Sequence, residues 1–284
     1  MCDSHRCFLF KDVSEKENIV AGITLKRISD INLYAIVFYL IMEKLAKRKH
    51  RRNRKMIPKK IHYCWFGGNK KSQLIMDCIA SWKHFFPDYE IIEWNESNFD
   101  IRQCNYVAQA YDKKKWAYVS DYARMKILDL YGGIYFDTDV EVIKKFPEEL
   151  MESSFAGIEE FSKLVAPGLV YGCEAGDVIV HRMVEEYEQD SFINEGVDNI
   201  LTINKRITRI LDKYGYIHDD QFQDLKILKV YPSEVFCAYD GRRRKTNITS
   251  NTLATHHYTA SWLPWYRKIR LIIGTKLRHI GVIK

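Results

Sequence analysis

Two carboxylates one residue apart, Asp137 and Asp139 in the run Tyr135-Phe136-Asp137-Thr138-Asp139, have the types and spacing best suited to chemistry in this chain. At the end of a strand both can turn toward one hard cation through oxygen ligands, which suits Mg²⁺ or Mn²⁺. Such a cation fills its remaining positions with water and substrate phosphates, so a site with few protein ligands can serve nucleotide chemistry. Spacing alone does not distinguish this from a solvated acidic turn. Upstream, Asp121 and Arg124 stand at i and i+3 and share one helix face, where they form either an ion pair or a contact to sugar hydroxyls and phosphate. Downstream, His256 and His257 are neighbours, so in a strand only one of them can face the same side as the carboxylates.

The elements that must position these residues read as α/β from Ile57 onward. Ile61 to Phe66 is a short apolar run ending in Gly67-Gly68, a first strand entering a loop. Residues 71–86 read as a helix closed before Pro87, and Tyr89 to Trp94 as a second strand, a strand-helix-strand unit that implies parallel pairing. Ser120 can cap a helix that stops at Gly132-Gly133, after which Ile134-Tyr135-Phe136 forms a buried strand carrying Asp-Thr-Asp at its carboxyl end. Further strands are expected at 154–158, 168–172 and 253–258, and helices at 177–189 and 199–214.

The chain has 284 residues, 46% of them apolar, enough to bury a substantial core. Its seven cysteines include no Cys-x-x-Cys pair, which argues against a zinc ribbon or a dense disulfide framework and fits a reducing cytoplasm. Residues 1–60 carry 15 Lys/Arg against 6 Asp/Glu and residues 241–284 carry 10 against none, so the body between them is acidic. An acidic body with basic ends fits an enzyme held near anionic lipid better than a nucleic-acid binder; solvated tails are the plain alternative. Ile31 to Met42 is apolar over 12 residues, too short to span a bilayer, and the basic run that follows it is wrong for a signal peptide. The expected organisation is a basic and apolar extension at 1–56, a catalytic domain at 57–262 and a basic amphipathic helix at 263–284.

The run from Ser120-Asp121-Tyr122-Ala123-Arg124 through Tyr131-Gly132-Gly133-Ile134-Tyr135-Phe136-Asp137-Thr138-Asp139 resembles the signature of glycosyltransferase family 32. Two more blocks match in order, Ile57 to Gly68 and His256-His257-Tyr258-Thr259-Ala260-Ser261-Trp262, so the resemblance covers roughly residues 57 to 265. It implies a GT-A-like fold, a single Rossmann-like α/β domain around a mixed central sheet. It also implies hexosyl transfer from a UDP- or GDP-sugar to a glycan or lipid-linked acceptor, with Mn²⁺ or Mg²⁺ and retention of configuration, in the manner of capsule and polysaccharide enzymes. By the same resemblance Trp65, Ser120, Asp121, Arg124, Tyr135, Asp137 and Trp262 bind the donor. Asp137, Asp139 and Arg124 act in catalysis; Asp139 and Asp137 hold the metal, with His257 preferred over His256 as the third ligand because similar transferases place it immediately before an aromatic residue.

Two other classes share parts of this pattern. A catalytically inactive protein of the same fold would serve as a binding partner at a membrane surface, and the basic ends allow a peripheral membrane contact for either class. A metal-dependent phosphodiesterase would need further acidic ligands, for which Glu141 is the close candidate. The sequence does not separate UDP from GDP or define the acceptor, since acceptor pockets are built from variable loops.

Overall fold

The computed structural model describes residues 56–194, 196–240 and 245–259. The apolar run 31–42, the C-terminal helix expected at 263–284 and Trp262 lie outside these residues. Among the described residues no helix is long and apolar enough to cross a membrane.

Strand β1 (Lys60–Cys64) leads through a loop to helix α1 (Gln73–Phe85), whose first turn is capped by the Ser72 hydroxyl accepting from the Ile75 amide. Strand β2 (Glu90–Trp94) then pairs in parallel with β1, as the sequence pattern requires. Helix α2 (Asn105–Asp112) has no counterpart among the expected elements. Helix α3 (Trp116–Tyr131) starts four residues before Ser120, after Lys114 at φ 54°, and has no side-chain cap. Ser120 therefore lies inside the helix, with its carbonyl accepting from Arg124 Nε at 3.3 Å. Gly132 ends the helix at φ 60°, a conformation that glycine reaches without the penalty a Cβ would bring.

From that turn the chain enters β3 (Gly133–Tyr135), crosses the aspartates and forms β4 (Val140–Val142). Strands β5 (Phe155–Gly157) and β6 (Tyr171–Cys173) precede helix α4 (Val178–Glu188), whose cap Asp177 accepts from the amides of Ile179 and Val180. A small hairpin, β7 (Ile193–Asn194) with β8 (Val197–Asp198), leads to helix α5 (Ile203–Asp212). Then come β9 (Gln223–Asp224), β10 (Lys229–Tyr231), the short helix α6 (Ser233–Phe236), the paired β11 (Tyr239–Asp240) and β12 (Lys245–Thr246), and β13 (Ala254–His256).

The seven-stranded sheet runs β2-β1-β3-β6-β5-β10-β9 and is mixed: β6 is antiparallel to both β3 and β5. Strands β1, β3 and β5 therefore point the same way, and their carboxyl ends open on one edge, where ligands bind in open α/β sheets. Two apolar clusters pack the sheet, one around Tyr122, Leu128, Tyr171 and Tyr187, the other around Trp82, Phe136, Phe146 and Phe155. Fully buried Trp82 ties α1 to β4 by donating from Nε1 to the Val140 carbonyl at 2.8 Å. Outside the main sheet, β13 runs antiparallel to β4 and sets His256 opposite Val140, one residue from Asp139.

His62 on β1 is fully buried, with Nε2 2.9 Å from the Gly132 carbonyl and Nδ1 accepting from Trp94 Nε1 at 3.1 Å. Burial lowers its pKa to about 4, only partly countered by the Gly132 carbonyl. A folded-state value below the unfolded one means stability present near neutrality and lost as pH falls from about 6.5 through 4. Urea unfolding should show this one site removing about 2 kcal/mol between pH 7 and pH 5, a slope missing in His62→Gln.

Candidate functional site

A cavity of about 600 Å³ opens at the carboxyl ends of β1, β3 and β5. Trp65 enters it from β1, Ser120, Asp121 and Arg124 from α3, Asp137 and Asp139 from the β3–β4 turn, and His256 from β13.

At its centre Arg124, only 5% exposed, bridges two carboxylates: its Nη2 lies 3.1 Å from Asp121 Oδ1 and 3.1 Å from Asp137 Oδ1. The guanidinium lies 4.8 Å over the Tyr135 ring, and the Tyr135 hydroxyl donates to Asp137 Oδ1 at 3.2 Å. Burial pushes the Asp121 carboxyl up to about 6 against the pull of Arg124, and lifts Asp137 in the same way. Asp139 is held differently. His256 Nε2 is 3.0 Å from its Oδ1, while the Thr259 amide and hydroxyl each donate to Oδ2 at 2.8 Å. Burial favours the neutral acid, but His256 and Thr259 outweigh it and hold Asp139 well below the usual carboxylate range. Burial likewise opposes charge on His256, and the carboxylates of Asp139 and Asp137 outweigh it and raise its pKa.

Three expectations change. His256, not His257, turns into the cavity; His257 Nε2 meets Glu141 at 2.9 Å instead. The two side chains part company, His256 reaching Asp139 and His257 reaching Glu141, while the His257 amide donates to the Asp139 carbonyl at 2.9 Å. Tyr135, expected to touch the donor, is 1% exposed and lies beneath Arg124, outside the cavity lining. Ser120 lines the cavity from within α3 rather than from a helix cap. Trp65 is half-buried in the wall, with Nε1 donating to the Asn69 carbonyl at 2.7 Å, and Trp262 lies outside the described residues.

The sequence reading missed Glu159, Thr259 and Gly168. No local pattern marks Gly168: its backbone is ordinary, but a Cβ there would come 2.2 Å from Asp137 Oδ2 and 2.7 Å from Arg124 Nη1. Gly168→Ala should therefore displace the Asp137–Arg124 pair, costing about 1–3 kcal/mol of stability by overpacking. Thermal unfolding checks this, and nucleotide binding measured alongside should weaken with it.

The arrangement can hold an anionic ligand beside a hard cation. Among the described residues no group of three His, Cys, Asp or Glu side chains is arranged to hold a metal. A cation that relies on one or two carboxylates plus phosphate oxygens still fits the pair Asp137 and Asp139. The Asp137 side chain is 30% exposed, and His256 Nδ1 is buried without a protein partner, a polar atom left for a ligand or its water.

Residues 72–156 match the family model described as the glycosyltransferase sugar-binding region containing DXD motif. The matched span contains Asp121, Arg124, Asp137 and Asp139 and ends before Glu159, Gly168 and His256. No curated protein matches the chain. Among solved structures it is similar to the PaToxG glycosyltransferase (17% identity, 63% of this chain and 79% of that one, TM-score 0.41). It is also similar to a glycosyltransferase involved in glycosylation of the major capsid of PBCV-1 (11% identity, 70% and 94%, TM-score 0.41). A third is the galactosyltransferase LgtC in complex with donor and acceptor sugar analogs (15% identity, 71% and 88%, TM-score 0.36). At the centre of the cavity Asp121, Arg124, Asp137 and Asp139 thus lie within the residues that match a glycosyltransferase sugar-binding region containing DXD motif.

Proposed function

We propose that the chain transfers a hexosyl group from a UDP- or GDP-sugar to a hydroxyl of a glycan or lipid-linked acceptor, with retention of configuration, in building a cell-surface polysaccharide. The observation that carries this reading is the meeting of Asp121, Arg124, Asp137, Asp139 and His256 in one cavity at the carboxyl ends of β1 and β3.

In this reading Asp137 and Asp139 would hold Mn²⁺ or Mg²⁺, and His256, which donates to Asp139, would orient that carboxylate rather than take the ligand place first given to His257. When bound there, such a cation would offer positive charge to the diphosphate leaving group. The protein does the positioning. Arg124 spends its guanidinium on Asp121 and Asp137, so it fixes the angle of Asp137 rather than meeting the leaving group itself. His256 and Thr259 clamp Asp139 as an anion in one rotamer, so no reorganisation is needed when donor arrives. Asp121, tied to Arg124, is left to accept from a sugar or ribose hydroxyl. Trp65 offers its face to the nucleobase, with Lys71 Nζ 5.3 Å from the ring centre.

A panel of UDP- and GDP-hexoses, followed by mass spectrometry for released nucleoside diphosphate with and without Mn²⁺, tests the reading. One donor should turn over and depend on the metal; no turnover of any donor would refute it. His256→Ala should lower that turnover by about ten- to a hundredfold, and His257→Ala, whose partner is Glu141 outside the cavity, should change it far less.

A further inference from the structure

Beyond the aspartates, the cavity wall is formed by a tight loop that the family model does not reach. Residues 158–165 fold back on themselves: Ile158 bridges Val165, the Glu159 amide donates to the Leu164 carbonyl at 2.9 Å, and Lys163 turns the chain at φ 55°. The loop is anchored from outside, with Tyr216 donating to the Lys163 carbonyl at 2.9 Å and Lys163 Nζ 2.9 Å from Asp220. The loop carries Glu159 into the cavity lining and Phe161 against Tyr258. Glu159 lines the cavity, its carboxylate accepting from the Ser162 hydroxyl at 2.6 Å. Phe161 is 60% exposed, its ring 6.3 Å from that of Tyr258, which also lines the cavity.

Tyr258 is held firmly. It sits at φ 50°, a strained backbone for a bulky residue, packs edge-on against His256 at 4.1 Å, and its hydroxyl lies 3.1 Å from Cys237 Sγ. Phe161 and Tyr258 together make an aromatic wall running from His256 out to solvent, with Glu159 beside it as a hydrogen-bond acceptor. A pyranose ring matches this combination: its C–H face packs on aromatic carbon and its hydroxyls donate to a carboxylate.

The order of the strands says which sugar. Trp65 leaves the end of β1, Asp137 the end of β3 and Glu159 the end of β5, with β6 between the last two. Nucleobase at Trp65, then diphosphate with its sugar at Asp137 and Asp121, would follow that order across the sheet edge, and the group beyond them at the end of β5, arriving from solvent, is the acceptor. We propose that Glu159, Phe161 and Tyr258 form the subsite for an acceptor hexose, Phe161 and Tyr258 stacking on its ring and Glu159 accepting from one of its hydroxyls. This rests on the reading of the cavity as a sugar-transfer site.

Saturation-transfer NMR on the full chain with methyl glucoside, methyl galactoside and methyl mannoside, in the presence of UDP or GDP and Mn²⁺, tests it. At least one glycoside should receive saturation at its ring C–H protons. The signal should fall about fivefold or more in Phe161→Ala and persist in Phe161→Trp; Phe161 is exposed, so the fold should survive its loss. No signal from any glycoside, or an equal signal in Phe161→Ala, overturns the subsite. The nucleotide resonances in the same samples separate the two readings. Nucleotide signal without glycoside signal overturns the subsite alone, and glycoside signal without nucleotide signal overturns the donor reading alone. In turnover, Phe161→Ala and Glu159→Gln should each cut the ratio of transfer to donor hydrolysis by about tenfold. A ratio that holds within about twofold would contradict the assignment.

Discussion

Replacing Asp137 and Asp139 together with asparagine should lower donor turnover by about a thousandfold, the scale on which losing a preorganised electrostatic contact acts. The two single variants should then differ in a way their surroundings dictate. Asp139 is 7% exposed and receives hydrogen bonds from His256 and from both the amide and hydroxyl of Thr259. Asp139→Asn cannot accept all of these, so it should cost about 1–3 kcal/mol of stability as well as turnover. Asp137 presents a side chain that is 30% exposed to the cavity, so Asp137→Asn should reduce turnover comparably with a smaller loss of stability. Steady-state donor hydrolysis and urea unfolding on the two singles and the double measure both effects.

Arg124→Ala should be the most damaging change to the fold at this site. It removes the cation between two buried or half-buried carboxylates, and breaking such a pair from one side costs about 3–5 kcal/mol because the remaining charge stays uncompensated. Arg124→Lys should rescue little, since a compact ammonium on a shorter reach loses the planar stacking on Tyr135 and the Nε contact to the Ser120 carbonyl that hold the guanidinium between the carboxylates. The double variant Arg124→Met/Asp121→Asn should regain much of the stability, because the charge on Asp121 goes with its partner, yet remain poor in turnover, because Asp137 has lost its support. Denaturant titrations paired with donor turnover would show that separation.

The sequence made the strand-helix-strand opening, the parallel β1–β2 pair and the glycine stop before β3 legible, because each follows from local periodicity and turn chemistry. The placement of Asp137 and Asp139 just beyond a buried strand was legible for the same reason. Helix α2 escaped because its cap, Cys104, makes no side-chain hydrogen bond, and the true start of α3 at Trp116 escaped likewise behind a left-handed Lys114. The choice between His256 and His257 is made by contacts with Asp139 and Glu141, more than a hundred residues away along the chain, and neighbouring histidines carry no mark of it. Gly168 and Glu159 join the site through long-range approach alone, and no residue near either announces it. Tyr135 shows the converse: its place in the motif implied a ligand contact, while its burial under Arg124 makes it a support.

Isothermal titration of UDP and GDP into the protein with and without Mn²⁺ reads metal-dependent donor binding by the two aspartates without chemistry or acceptor. One nucleoside diphosphate should bind the wild-type chain in Mn²⁺, bind about ten- to a hundredfold more weakly without it, and bind Asp137→Asn/Asp139→Asn no more tightly with Mn²⁺ than without it. Equal affinity with and without Mn²⁺, or undiminished binding by the folded double variant, would contradict it.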